Sequence, residues 1–300
     1  MKKKLINFVF LLLFLTGFAI LTYPAIADQW NTFRQSRLIS DYQEVVSQME
    51  EEDFEEVWAA ARGYNQTFEQ NSILSDAFGI DEAEHIEDTE YWKVLNVAGD
   101  GGMGYLTIPK INIRLAIYHG TSEEVLQTGV GHLNGTRLPV GGESNHTVLS
   151  AHRGLPSAKL FTDIDQLEPG DLFYLHILNE DLAYEVDRIL PMVDKDDYDA
   201  LEEALKIEEG KDQVTLFTCT PYVVNSHRLL VRGHRVPYNG ELDTAPTPVE
   251  SMVQAIQNYY MLYLVLGLSV TLLIILFMKF LFRPRKAKKG KGETRQQSGK

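Results

Sequence analysis

Val214-Thr215-Leu216-Phe217-Thr218-Cys219-Thr220-Pro221 has the texture of a short β-strand that stops on a proline. Side chains alternate across a strand, so Thr215, Phe217 and Cys219 share one face, and Val214, Leu216 and Thr218 the other. Pro221 offers no N–H to a central ladder, which puts Cys219 at the strand's end. Outward from it, the same texture recurs from Gly104 onward at Tyr105–Ile108, Leu115–Tyr118, Thr147–Ser150, Leu172–Ile177, Ala183–Val186 and Leu229–Val231. Gly, Asn and Asp punctuate these runs, and helical patterns interrupt them only at Ser122–Thr128 and Tyr198–Lys206. About seven short strands separated by turns predict a mainly β fold, a sandwich or barrel, rather than βαβ units.

The 300 residues are 44% hydrophobic and 23% charged, enough to bury one or two cores and too apolar for a disordered chain. A formal charge of −14 repels phosphate backbones and excludes nucleic acid as a partner. Cys219 is the single cysteine, so an intrachain disulfide, a cysteine-rich zinc site and a CxxC redox pair are excluded. The charge is sharply partitioned. Lys2, Lys3 and Lys4 open the chain, and eight Lys/Arg against the lone Glu293 close it from Arg283 to Lys300. Between Asp28 and Asn258 stand 16 basic and 41 acidic residues, a charge of −25.

Each basic end abuts an apolar run, Leu5 to Ala27 and Tyr259 to Met278, neither of which carries a charge. At about 1.5 Å per residue, each is long enough to cross a hydrocarbon layer of about 30 Å as a helix. Positive flanks prefer the cytoplasm, which predicts a cell-membrane protein with a cytoplasmic C-terminal tail and its acidic middle on the outer face. Residues 1–27 read equally as a transmembrane helix or as a signal peptide ending at Ala25-Ile26-Ala27. Residues 28–68 carry apolar residues at helical spacing among acids and form a helical region, while 69–93 read as a loop. A β domain follows over 94–238, then a linker over 239–258, a transmembrane helix over 259–282 and a basic tail over 283–300. No LPxTG-type pentapeptide precedes the second apolar run, so the chain does not read as a wall-anchored substrate.

A lone cysteine is usually inert packing, and that reading stands beside a chemical one. His152 follows the run Thr147–Ser150, and Arg228 begins the run that a hairpin would return beside Cys219. A nucleophile, an acid/base and a fixed cation at neighbouring strand ends are the parts of a thiol acyl-transfer site, although several of the eight histidines would serve in place of His152. His119, His132, His146, His176, His227 and His234 show no tight metal-ligand pattern, and no metal or cofactor is expected.

Three segments carry a resemblance. Thr215-Leu216-Phe217-Thr218-Cys219 matches the TLxTC signature of sortases, Leu149-Ser150-Ala151-His152-Arg153-Gly154 resembles their histidine segment, and His227-Arg228-Leu229-Leu230-Val231-Arg232-Gly233 resembles their arginine strand. With its C-terminal apolar run, the chain resembles the class C, pilus-associated sortases of Gram-positive bacteria. The resemblance implies an eight-stranded sortase barrel with Cys219 as nucleophile, His152 as general acid/base, Arg228 as oxyanion stabiliser and Thr218 as a substrate contact. It further implies cleavage of an LPxTG-like sorting signal between Thr and Gly and transfer of the acyl group to a lysine. The implied partners are pilin subunits bearing such signals and acceptor lysines. Pilus sortases also carry a lid with an Asp-Pro-aromatic motif, matched here by Asp76-Ala77-Phe78; Ala77 in place of proline removes a fixed φ. The implied pairings are Asp76 with Arg228 and Phe78 with Cys219. Two competing readings are a thiol peptidase or housekeeping sortase that anchors proteins to the cell wall, and a membrane-displayed adhesin or barrel in which Cys219 is packing.

Overall fold

The computed structural model describes residues 2–68, 78, 89–238, 240 and 264–273. Among these, eight strands close a barrel: β1 (Gly102–Ile108), β2 (Ile113–His119), β3 (Val130–His132), β4 (Asn145–Ser150), β5 (Leu172–Ile177), β6 (Glu180–Asp194), β7 (Asp212–Thr220) and β8 (His227–Val236). Their order around the barrel is β1-β2-β3-β4-β7-β8-β6-β5. The β2–β3 and β4–β7 pairs are parallel and the others antiparallel.

Every run read as a strand lies within one. The eighth strand, β3, is three residues long, and its pairing with β2 depends on glycine. A Cβ at Gly131 would stand 2.3 Å from the carbonyl oxygen of Gly120, a backbone atom that cannot swing aside. Gly131→Ala is therefore expected to cost about 1–3 kcal/mol by overpacking, read as a lowered urea midpoint. An unchanged midpoint would mean that this pairing adds nothing to stability.

Alternation decides what fills the barrel. Leu106, Ile117, Val130, Leu149, Leu175, Tyr184, Leu216 and Val231, one from each strand, are buried in a single inner core. The opposite parity of β4, β7 and β8 builds a second cluster on the outer face: Val148, Phe217 and Leu230 pack with Leu133. A short helix covers it through Leu201, Ala204 and Leu205. That helix, over Tyr198–Leu205, is capped by the Asp197 carboxylate, which accepts from the Ala200 N–H at 3.1 Å. Each large side chain so covered contributes roughly 1.5–3 kcal/mol.

Four further helices complete the chain order: α1 (Lys2–Ser47), α2 (Glu51–Thr67), α3 (Glu90–Lys93) and α4 (Glu123–Thr128), with α5 being the helix just described. α1 is the one helix among the described residues long and apolar enough to cross a membrane, and it runs unbroken past position 27. Its second half docks on the barrel. Gln35 accepts from the Ala116 N–H at 3.0 Å and donates to the Thr128 carbonyl. The Tyr42 hydroxyl accepts from Leu178 N–H at 2.8 Å and donates to the Met103 carbonyl at 3.2 Å. α2 continues around the barrel, where the buried Asn65 accepts from the Leu138 N–H at 2.8 Å and donates to its carbonyl at 3.1 Å. Within the second apolar run, Leu264–Leu273 is helical.

Four histidines are structural. His119 bonds the Gly101 and Val94 carbonyls, His132 the Tyr91 hydroxyl and Arg137 carbonyl, His146 the Lys206 carbonyl and Thr215 hydroxyl, and His176 the Thr107 hydroxyl and Asp181 carboxylate. All four are buried, and burial lowers the pKa of each.

Candidate active site

Register brings the three sequence-predicted residues to one place. β7 and β8 are antiparallel with Cys219 directly opposite Arg228. β4 runs parallel to β7 with Ser150 opposite Phe217, and the ladder continues through the Ala151 N–H, which donates to the Phe217 carbonyl at 3.3 Å. Two residues further along each chain, His152 stands level with Cys219. Parity does the rest: Phe217 and Leu230 lie on the outer face, so Cys219, two residues after Phe217, and Arg228, two before Leu230, lie there too. The candidate site is thus on the barrel's outer wall, at one end of β7.

Cys219 is buried at 6% exposure and Arg228 at 3%. The Arg228 guanidinium is held by its own strand entry, donating to the Asn225 and His227 carbonyls at 2.9 Å each. Phe78 lies over all of this. Its ring centroid is 5.5 Å from the His152 ring and 6.0 Å from that of Phe217, and the Arg228 guanidinium carbon is 5.4 Å from it. It also packs against the outer apolar cluster. The same ring therefore caps an apolar patch and covers the candidate site. Asp76 and Ala77 lie outside the described residues.

Thr218 sits on the inner face with no exposure, and its hydroxyl donates to the Ala151 carbonyl at 2.7 Å. Its side chain fastens the histidine segment to the cysteine strand, and in this conformation it does not reach the outer wall where a substrate would lie.

Two partners were not legible in the sequence. Glu123 on α4 approaches His152 Nε2 with its two carboxylate oxygens at 3.2 and 3.3 Å. A proton on Nε2 is thereby favoured, leaving Nδ1 as the acceptor. The Glu123 side chain is 68% exposed, so the pair is of the solvent-screened kind, worth about 0.2–1 kcal/mol. Glu123→Ala is expected to lower kcat/KM by no more than about fivefold, the rate equivalent of ~1 kcal/mol. A hundredfold loss would give the carboxylate a larger part. Arg153 is the second partner: it ion-pairs with Asp165 and donates to the Thr162 carbonyl and the Thr220 hydroxyl at 3.2 Å each. It ties the loop after β4 to the end of β7.

A family model described as the Sortase domain matches residues 106–236. Sortase D of Bacillus subtilis (strain 168) is 35% identical over 136 residues, covering 44% of this chain and 63% of that protein's length. Among solved structures, Streptococcus pneumoniae sortase C is 46% identical with a TM-score of 0.60, covering 67% of this chain and 97% of that one. That structure bears on catalysis and pilin substrate specificity in the pneumococcal enzyme. Sortase C1 of Streptococcus agalactiae is 48% identical with a TM-score of 0.59, covering 68% of this chain and all of that one.

Proposed function

The chain belongs to the sortases, a family of cysteine transpeptidases whose class C members are its structural neighbours, and on that premise we propose that it joins pilin subunits through lysine isopeptide bonds. The supporting observation is the register that sets Cys219 opposite Arg228 and level with His152 on the outer wall. In this reading, Cys219 sulfur attacks the threonine carbonyl carbon of an LPxTG-like signal. The carbonyl oxygen gains negative charge, and the Arg228 guanidinium, already fixed by two carbonyls, stabilises it without reorganising. His152 gives a proton to the departing glycine amine as the C–N bond breaks, leaving a thioester on Cys219. A lysine amine then attacks the thioester, His152 takes a proton from it, and the sulfur leaves. One amide is exchanged for another. Thr218 acts from behind as a positioning residue, through Ala151.

In this reading α1 is a membrane anchor, the 259–282 segment is a second, and the positive flanks favour a catalytic barrel on the outer side of the membrane. Phe78 acts as the lid, which must lift before a sorting-signal peptide can reach the sulfur. Phe78→Ala removes ring contacts with Phe217, His152 and Arg228, together worth roughly 1.4 kcal/mol or more, and is expected to speed alkylation of Cys219 by a bulky reagent about tenfold. An unchanged alkylation rate would overturn the lid. The function itself is tested on the detergent-solubilised full chain. Incubated with an LPxTG peptide and a lysine-bearing pilin acceptor, it is expected to yield an isopeptide-linked product by intact mass. Release of the free acid alone, at every acceptor concentration, would sink polymerisation and leave a peptidase.

A further inference from the structure

The contacts of α1 define which end of the barrel faces the membrane. Tyr42 meets the barrel at Met103 and Leu178, Gln35 at Ala116 and Thr128, and Asp28 at Lys159, whose N–H donates to the Asp28 carboxylate at 3.0 Å. At about 1.5 Å per residue, Asp28 stands roughly 20 Å along the helix from Tyr42. Just before Asp28 comes the uncharged run Leu5–Ala27. The end of the barrel beside Lys159 is therefore the one next to the apolar segment. It is also the Cys219 end, since Lys159 lies in the loop that follows β4.

The hairpin joining β7 to β8 is fastened to that same loop. The Tyr222 hydroxyl reaches the Thr162 carbonyl at 3.5 Å, the Arg153 guanidinium carbon is 4.7 Å from the Tyr222 ring centroid, and the Thr162 N–H donates to the Lys159 carbonyl at 2.8 Å. At its tip Tyr222, Val223 and Val224 are 46%, 94% and 67% exposed. Met192, 52% exposed, adjoins them from β6, its sulfur 4.0 Å from the Thr220 hydroxyl. Backbone bonds close the turn: Val224 N–H donates to the Tyr222 carbonyl at 2.8 Å and Asn225 N–H to the Pro221 carbonyl at 3.0 Å. Val223 is held at φ +69°, a region a β-branched residue enters only at a cost of about 1–3 kcal/mol. A strained valine with nearly all its surface outside is not serving the core.

We propose that this tip, Tyr222 to Val224 with Met192, seats in the interfacial layer of the bilayer that α1 enters, as a second membrane contact holding the Cys219 end of the barrel against the lipid. Valines for the acyl boundary and a tyrosine for the headgroup level suit that layer. The nearby cations are already paired, Arg153 with Asp165, Lys159 with Asp163 and Lys195 with Asp196, so the contact is apolar insertion and not attraction to anionic lipid. The proposal rests on the membrane-anchored reading of α1 given above.

The test uses the full chain carrying Cys219→Ala and Val223→Cys, labelled with an environment-sensitive fluorophore and reconstituted in phosphatidylcholine vesicles. Glu143→Cys, exposed and just before the start of β4 at the opposite end of the barrel, is the control, and Val224→Cys is a second probe of the tip. Both tip labels are expected to emit to the blue of the Glu143 label and to be quenched by lipid spin-labelled near the headgroup, unchanged by high salt. Water-like emission and no quenching at both tip positions would overturn the proposal. Flotation separates the two failures. Protein that floats with the vesicles while its tip stays in water sinks the tip alone, whereas protein that does not float sinks the anchor and the tip with it.

Discussion

Cys219→Ala is expected to abolish both the thioester adduct with an LPxTG peptide and all transfer to lysine, with residual activity at least a thousandfold below the unsubstituted chain, because the sequence holds no other cysteine to form the thioester. The substitution should leave the fold intact. Cys219 is one side chain at the end of a nine-residue strand, and its replacement removes a sulfur while keeping every backbone bond of β7 to β4 and β8. A melt overlapping that of the parent chain checks this. The adduct is read by intact mass after acid trapping. His152→Ala and Arg228→Ala are expected to show comparable losses that do not add to that of Cys219→Ala, since the three act on one bond. Wild-type transfer by Cys219→Ala would return the cysteine to packing and restore the reading of a non-enzymatic barrel.

The fold was legible where the chain obeys a local rule. Alternation in β7 told Phe217 and Cys219 apart from Leu216 and Thr218, and the structure keeps that split as outer and inner face. It could not tell which face looks outward, because that depends on barrel closure between β1 and β5, far apart in sequence. β3 escaped notice because three residues with a central glycine show no period; it exists because β2 and β4 flank it. β6 is longer than its readable run Ala183–Val186, extending over Glu180–Asp194. Pro191 masks the extension, and the ladder tolerates it by shifting register between Leu190 and Val193. At the site, Cys219 and Arg228 were legible as a hairpin pair, whereas Glu123 and Arg153 were not. Each reaches its partner through tertiary contact, from a helix before β3 and a loop after β4. Thr218 was legible as part of a motif, but its burial and its bond to the Ala151 carbonyl were not.

Acid is expected to destabilise the barrel from about pH 6.5 downward, above the ordinary carboxylate range. His132 has no exposure, and burial pushes its pKa down to about 3, while His119, His146 and His176 are lowered by the same cause. An unfolded chain returns each to about 6.5. Below that value the unfolded state binds protons that the native state refuses, so stability is whole above pH ~6.5 and falls as the pH drops, for His132 down to about 3. By pH 5 that histidine alone costs about 2 kcal/mol, at ~1.4 kcal/mol per pH unit over ~1.5 units. For a chain of this size the loss is about 4–8 °C in Tm. Geometry explains the refusal: His132 Nδ1 faces the Tyr91 hydroxyl at 2.8 Å, and that hydroxyl already accepts from the Gly120 N–H at 3.0 Å. The ring lies wholly out of solvent, so a charge on it would go unsolvated. Glu208, whose bond to Lys211 holds its pKa down to about 2, begins to lose its contribution only within the ordinary carboxylate range, and burial raises the pKa of Asp212, which works against the loss from the histidines. Thermal melts of the parent and His132→Gln between pH 8 and 5 separate the outcomes. The parent should lose Tm steadily below pH 6.5 and the variant less steeply, by about one proton's worth of slope. A parent Tm that stays flat to pH 5 would mean that these rings take up protons in the folded barrel.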